Sequence, residues 1–292
     1  MEHCPFAQTA EIAAALRVWH TRIDDPPLIF DDRAAIPLLS PGMRQLAKPP
    51  LPFFTMQLRA LEGIHPELAA LRGQTVTRAR FAEDALDAAL DRGCRQILIL
   101  GAGLDTTAIR RPDVVKQATL LEVDHPDTQR WKRARLPPEL ARSVSFSAVD
   151  FARNGLPERL LEARLDPRRP LFAHWLGCTY YLSPETIRTT LDSLAQVVAP
   201  GSELVADYWL PSETLGWRPS MLLRGIGLAL DTQHQPLLGC VSSATIHALA
   251  ADSGWQVAED LDAATIRARW LAGRRDSLSV PAFGHCLRLI RK

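Results

Sequence analysis

An unbroken apolar run, Ile97 to Leu100, leads straight into Gly101-Ala102-Gly103, and this junction constrains the fold more than any other part of the chain. A short continuous apolar stretch suits a strand covered on both faces. Glycine at its end tolerates positive φ and lets main-chain N–H groups approach a ligand with no Cβ in the way. The dinucleotide fingerprint requires a third glycine three residues after the second, and Thr106 stands there, which disfavours a pyrophosphate binder.

From Arg95 onward the pattern alternates between strands and helices, with strands expected at residues 96–100, 119–123, 144–149, 171–176 and 203–208. Two further strands, at 254–259 and 285–291, bring the number to seven, the last of them antiparallel. Such alternation gives an α/β fold, a mostly parallel sheet wrapped by helices. Ser183-Pro184-Glu185 starts the helix that Pro200-Gly201 ends. Upstream, residues 9–19 and 75–90 carry helical periodicity, and the proline-rich stretch between them reads as short helices and loops lying over another body. We therefore expect a helical cap over residues 1–92 and a ligand-binding domain over 93–292, with a lid inserted at about 209–240, where Trp217 and a Leu/Met/Gly-rich helix fit no simple crossover.

With 292 residues, 47% apolar content and a formal charge of +1, the chain offers no concentrated basic face for nucleic acid. Arg130, Lys132, Arg133 and Arg135 have helical spacing and are expected to form a solvated face. Five cysteines (Cys4, Cys94, Cys178, Cys240, Cys286) show no CxxC spacing, so neither a disulfide framework nor a zinc site is expected, and a reducing cytoplasm suits them. Neither an export signal nor a membrane span is expected, and the chain is read as a monomer or homodimer.

In an open parallel sheet, ligands bind at the carboxyl ends of the strands. The glycine turn follows the first strand, Glu122 and Asp124 close the second, Asp150 and Phe151 the third, and Trp175 to Tyr181 follow the fourth. An acid about twenty positions beyond the glycines accepts hydrogen bonds from ribose hydroxyls. Asp150 with Phe151 suits an exocyclic amine and an adenine face, and the set together suits an adenosine ligand.

These blocks resemble the leucine carboxyl methyltransferase family, in its bacterial branch of secondary-metabolite O-methyltransferases. The resemblance is carried by LILGAGLDTTAIR, LEVDHPDTQRWKRARL, SAVDF and APGSELVADYW, with TAEIAAALRVWH and DPPLIFDD upstream. It implies a seven-stranded Rossmann-like class I methyltransferase sheet under a helical cap, S-adenosyl-L-methionine as cofactor, no metal, and an oxygen acceptor on a small molecule. Gly101, Ala102 and Gly103 match the family's cofactor turn, Glu122 or Asp124 its ribose contact, and Asp150 with Phe151 its adenine contact. Arg78 and Arg80 match its RTRF segment, and one of them, with Arg78 favoured, would pair with the methionyl carboxylate. The chain departs from the family after the fourth strand, where WLGCTYYL puts Leu176 at the position of a glutamate. The cofactor's amino group would then be met by main-chain oxygens near Leu176 and Gly177, and Trp175, Tyr180 and Tyr181 would surround the sulfonium.

Methyl transfer from a sulfonium is an in-line displacement that needs alignment and exclusion of water more than acid–base machinery. Where a base is needed, His125, His174, His234 and Tyr180 are the candidates. The competing functions are carboxyl methylation of a protein C-terminus, a nicotinamide-dependent oxidoreductase, and a fold that binds cofactor without turnover.

Overall fold

The computed structural model describes residues 5–48, 52–65, 67–149, 160, 165–232 and 235–292. The alanine-rich N-terminal periodicity becomes α1 (Pro5–Ile23), followed by a 3-10 turn (Arg33–Leu38), α2 (Pro41–Leu46), α3 (Pro52–Ile64) and the 25-residue α4 (Glu67–Asp91). Helix α4 begins eight residues before the apolar periodicity at 75–90 suggests. Its added turns carry Arg72, which is buried and holds Asp24 and Glu62, each at 2.8 Å. Buried charges persist when paired and hydrogen-bonded, so this trio ties the chain after α1 to α3 and α4.

The apolar run is β1 (Gln96–Leu100), buried throughout. After α5 (Thr107–Arg110) and α6 (Pro112–Gln117) come β2 (Thr119–Asp124), α7 (Pro126–Arg133), α8 (Pro138–Ser143), β3 (Ser145–Ala148) and β4 (Phe172–Trp175). Helix α9 (Pro184–Val197) starts as the sequence indicates, with the Ser183 hydroxyl accepting from Thr186 N at 3.2 Å and proline at the first turn. Then follow β5 (Glu203–Trp209), α10 (Trp217–Asp231), α11 (Ser243–Asp252), β6 (Trp255–Leu261), α12 (Ala263–Ile266) and β7 (Gly284–Arg291).

The sheet has seven strands in the order β3-β2-β1-β4-β5-β7-β6. Strands β1 to β5 pair in parallel, and β7 runs antiparallel between β5 and β6. Ile97 and Ile99 face α4, packing with Phe172, Val205 and the helix residues Val76, Phe81 and Leu86. Leu98 and Leu100 face the opposite way, toward Ile187, Leu191 and Leu194 of α9 and Ile246 of α11. Each such fully buried aliphatic side chain contributes about 1.5–3 kcal/mol. Strand order reverses between β1 and β4, which opens a crevice beyond their carboxyl ends.

The basic cluster is only in part the solvated face that its spacing suggests. Lys132 is buried and its Nζ reaches Glu122 Oε2 at 2.6 Å, while Arg135 stacks 3.5 Å over Trp131. Arg130, with a side chain 76% exposed, and Arg133 are the two of the four that project into solvent. No helix among the described residues is long and apolar enough to cross a membrane.

Candidate active site

A chamber of about 500 Å³ lies over the β1/β4 crevice. Its floor is the glycine turn and the ends of β2 and β4, its walls are α1 and α4, and Ile226 and Leu230 of α10 close the side facing Trp209. This volume and mixed apolar and polar lining are those of a small-molecule or cofactor site.

The glycine turn is shaped by its neighbours. Gly101 and Gly103 have φ of 58° and 48°, and Ala102 N donates to Val123 O at 3.1 Å, continuing the strand pairing into the turn. A Cβ on Gly101 would lie 2.2 Å from Cys178 Sγ, so with this cysteine in place the turn calls for glycine. Asp124 stands opposite: its carboxylate accepts from Gly103 N and, at 2.6 Å, from His125 N. Burial pushes its pKa up, and the two amides oppose that shift.

On the other side, Arg78 Nη1 donates to Asp207 Oδ2 and to Tyr180 Oη, both at 2.9 Å. Asp207 Oδ1 accepts from Gly177 N at 2.6 Å, and a Cβ on Gly177 would stand 2.7 Å from Arg78 Nη2. Arg78 thus enters the chamber wall as a cation fixed by a fully buried carboxylate and laid against a bare backbone. Tyr180 is stacked on Trp209, with ring centroids 3.9 Å apart, and burial drives its phenol pKa well above the ordinary value.

The residues that line the chamber are Arg78, Gly101, Ala102, Gly103, Asp124, His125, His174, Leu176 and Tyr180 from the sequence-derived set. Arg80 does not: it is exposed and pairs with Asp84 at 2.7 Å, one helical turn on. Helical geometry accounts for this, because residues two apart point to different faces. Glu122 lies one pleat below Asp124, buried against Lys132, and is not among the lining residues. Burial raises its pKa to about 7 despite that lysine. Trp175 points to the opposite face of the sheet, where it packs with Leu191 and Leu204, so it takes no part in an aromatic enclosure. Asp150, Phe151 and His234 lie outside the described residues.

As for bases, the ring of His125 accepts from Asp127 N at 3.3 Å and so caps α7. His174 is buried, which lowers its pKa; its Nδ1 has no hydrogen-bond partner among the described residues and its Nε2 is 3.9 Å from Asp105 Oδ2. Burial raises the Cys178 thiol strongly, leaving it protonated.

Sequence reasoning missed Asp105, Asp207, Asp32 and Arg17. Asp207 carried a signal: an acid in the middle of a strand whose seven residues are all buried requires a cation. Asp105 is half-buried in the chamber wall two residues past Gly103. Burial opposes its ionisation, yet His174, Lys132 and the N–H and hydroxyl of Thr107 hold its carboxyl down at about 2. Asp32 is fully buried and accepts from Arg17 Nε and Thr106 Oγ1, each at 2.6 Å.

Comparison with known proteins adds an independent line. The leucine carboxyl methyltransferase family matches residues 10–195. A candidate S-adenosyl-L-methionine-dependent methyltransferase of Bacillus subtilis, YktD, is 29% identical over 97% of this chain and 97% of its own length. Another from Mycolicibacterium gilvum is 32% identical over 85% and 81%. Among solved structures, a DUF574-family protein from Streptomyces avermitilis shares the fold with a TM-score of 0.59 at 15% identity, covering 95% of this chain and 97% of that one. A candidate methyltransferase from Thermobifida fusca does so at 0.58 and 18%, covering 89% and 94%.

Proposed function

This chain belongs to the leucine carboxyl methyltransferase family of S-adenosyl-L-methionine-dependent methyltransferases, and from that premise we propose an O-methyltransferase acting on a small-molecule hydroxyl or carboxyl acceptor in secondary metabolism. The observation that carries the reading is the chamber of about 500 Å³, in which an anchored cation, a glycine turn and a strand-end carboxylate converge.

The residues suit the cofactor. Arg78 offers a fixed guanidinium for a carboxylate, Gly101 and Gly103 leave room for a ligand at main-chain distance, and Asp124 stands where ribose hydroxyls would be accepted. When bound, S-adenosyl-L-methionine supplies an electrophilic methyl group on its sulfonium. The protein's part is to hold the acceptor in line and keep water out, which the apolar walls from α1, α4 and α10 favour. Tyr180 keeps its proton and serves as a positioning group for Arg78 rather than as a base. A carboxylate acceptor needs no base at all, whereas a phenol would draw on His125 or His174 at the chamber wall.

The test is transfer of isotopically labelled methyl to three acceptor sets: small phenols, small carboxylic acids and a leucine-terminated peptide. Methyl esters release methanol in mild alkali and methyl ethers do not. Labelling of a small acceptor is expected. Labelling of the peptide alone would overturn the small-molecule reading, and stabilisation by NAD in place of S-adenosylhomocysteine would overturn the cofactor assignment.

A further inference from the structure

Resting on the cofactor reading above, we infer that Asp105 receives the ammonium group of the cofactor's amino-acid tail, the place that Leu176 leaves without a carboxylate.

The argument is an account of the charges around the chamber. Among the described residues, its lining contains two carboxylates, Asp105 and Asp124, and two arginines, Arg17 and Arg78. Arg17 is committed elsewhere, with Nε on Asp32 at 2.6 Å and Nη2 on Leu104 O at 2.8 Å. Asp124 is held by the amides of Gly103 and His125 at the end of β2, on the side where a ribose would lie. Arg78, whose bonds to Asp207 and Tyr180 both leave from Nη1, and Asp105, whose bond to Thr107 N uses Oδ1, each keep further polar atoms for a ligand, one cation and one anion in the wall. That pair complements a zwitterion, an α-amino acid carrying a carboxylate and an ammonium on the same carbon.

The local geometry supports Asp105 for the ammonium. His174 pairs with Ile99 across the β1/β4 ladder, so it sits at the centre of the crevice, and Leu176 follows two residues on. Asp105 Oδ2 stands 3.9 Å from His174 Nε2, beyond hydrogen-bond reach, while Oδ1 accepts from Thr107 N at 2.8 Å. The turn therefore fixes the carboxylate by one oxygen and presents the other beside His174. This oxygen comes from the β1 side of the crevice, so the contact is made by the turn rather than by the strand that ends at Trp175. A hydrogen bond between two charged groups in such a half-buried wall is stronger than one to a main-chain carbonyl.

The inference is tested by calorimetry with two probes, S-adenosylhomocysteine and its deamino analogue, which keeps the carboxylate and lacks the ammonium. The wild-type protein should bind the first about tenfold or more tightly than the second, as expected for a charged hydrogen bond. Asp105→Asn, whose Oδ1 still accepts from Thr107 N, should lose that discrimination: affinity for S-adenosylhomocysteine falls to the level of the analogue, and affinity for the analogue stays put. Equal losses for both probes would mean that Asp105 only shapes the turn, and no loss would mean that main-chain oxygens meet the ammonium; either overturns the inference. So would a wild-type protein that does not distinguish the two, a result that needs no variant. Failure of the wild-type protein to bind S-adenosylhomocysteine at all would overturn the cofactor reading and this inference together.

Discussion

Arg78 and Asp207, 129 residues apart in the chain, meet at 2.9 Å with the carboxylate wholly buried. The pair joins α4 to β5 and sets an anchored cation in the chamber wall. Removing the acid would strand that cation and also orphan Gly177 N. Asp207→Ala should cost about 3–5 kcal/mol in urea denaturation. The double variant Arg78→Met with Asp207→Leu should cost less than Asp207→Ala alone, because no charge is then left buried.

Arg78→Lys tests recognition rather than stability. Lysine keeps the charge but cannot bond Asp207 and Tyr180 while offering a planar fork to a carboxylate. Affinity for S-adenosylhomocysteine should fall at least tenfold, the effect of losing one charged hydrogen bond of about 1.5–3 kcal/mol. Arg80→Ala, on the exposed side of α4, should leave that affinity unchanged in the same calorimetry.

Gly101 is constrained twice, by its φ of 58° and by Cys178 Sγ, which a Cβ would meet at 2.2 Å. Gly101→Ala should lower both the melting temperature and cofactor affinity. Adding Cys178→Ala removes the sulfur and should restore part of the loss, leaving a backbone term of about 1–2 kcal/mol. Thermal melts of the single and double variants measure the two terms separately. A double variant no better than Gly101→Ala would show that φ alone matters.

Much of this architecture was legible because strand burial and glycine turns are local signals. The apolar run at 97–100, the acid at the end of β2 and the Ser183 cap each follow from residues within a few positions of one another. What the sequence hid was pairing at a distance. Arg78 and Arg80 look alike until α4 is docked on the sheet and only one of them faces Asp207. Glu122 and Asp124 share a face by strand alternation, and nothing local says that Lys132, folding back from α7, claims the deeper one. Trp175, expected beside Tyr180 and Tyr181 around the sulfonium, is the last residue of β4 and by strand alternation turns to the α9 side, which the aromatic composition after the strand does not reveal.

The Glu122–Lys132 pair predicts a pH dependence. In the unfolded chain Glu122 titrates near 4.5, while burial raises it to about 7 in the folded protein. Between those values the folded state holds a proton that the unfolded state has released, so this residue makes stability fall as pH rises, by at most about 1.4 kcal/mol per pH unit. Glu122→Gln abolishes the titration. The stability difference between wild type and variant, followed by urea denaturation from pH 4 to 8, should therefore shift against the wild type across the window from 4.5 to 7 and level off above it.

Thr106 occupies the position at which a dinucleotide-binding turn would carry its third glycine, so Thr106→Gly spells out that fingerprint. Spelling is not what the turn uses here. The Thr106 hydroxyl donates to Asp32 Oδ1 at 2.6 Å, and Asp32, fully buried, also holds Arg17, whose Nη2 bonds Leu104 O inside the same turn. The segment after α1 is thereby clasped to the cofactor turn from two directions, and Ala10 of α1 packs within 3.2 Å of where a Gly103 Cβ would stand. Glycine at 106 removes one arm of the clasp and adds backbone freedom to the turn. The variant should lose about 1–3 kcal/mol of stability from the unsatisfied carboxylate oxygen. It should bind S-adenosylhomocysteine more weakly and gain no stabilisation from NAD in thermal melts. Thr106→Ser, which keeps the hydroxyl, should retain most of the wild-type affinity, and its failure to do so would show that the clasp acts through the methyl group's packing instead of through the bond to Asp32.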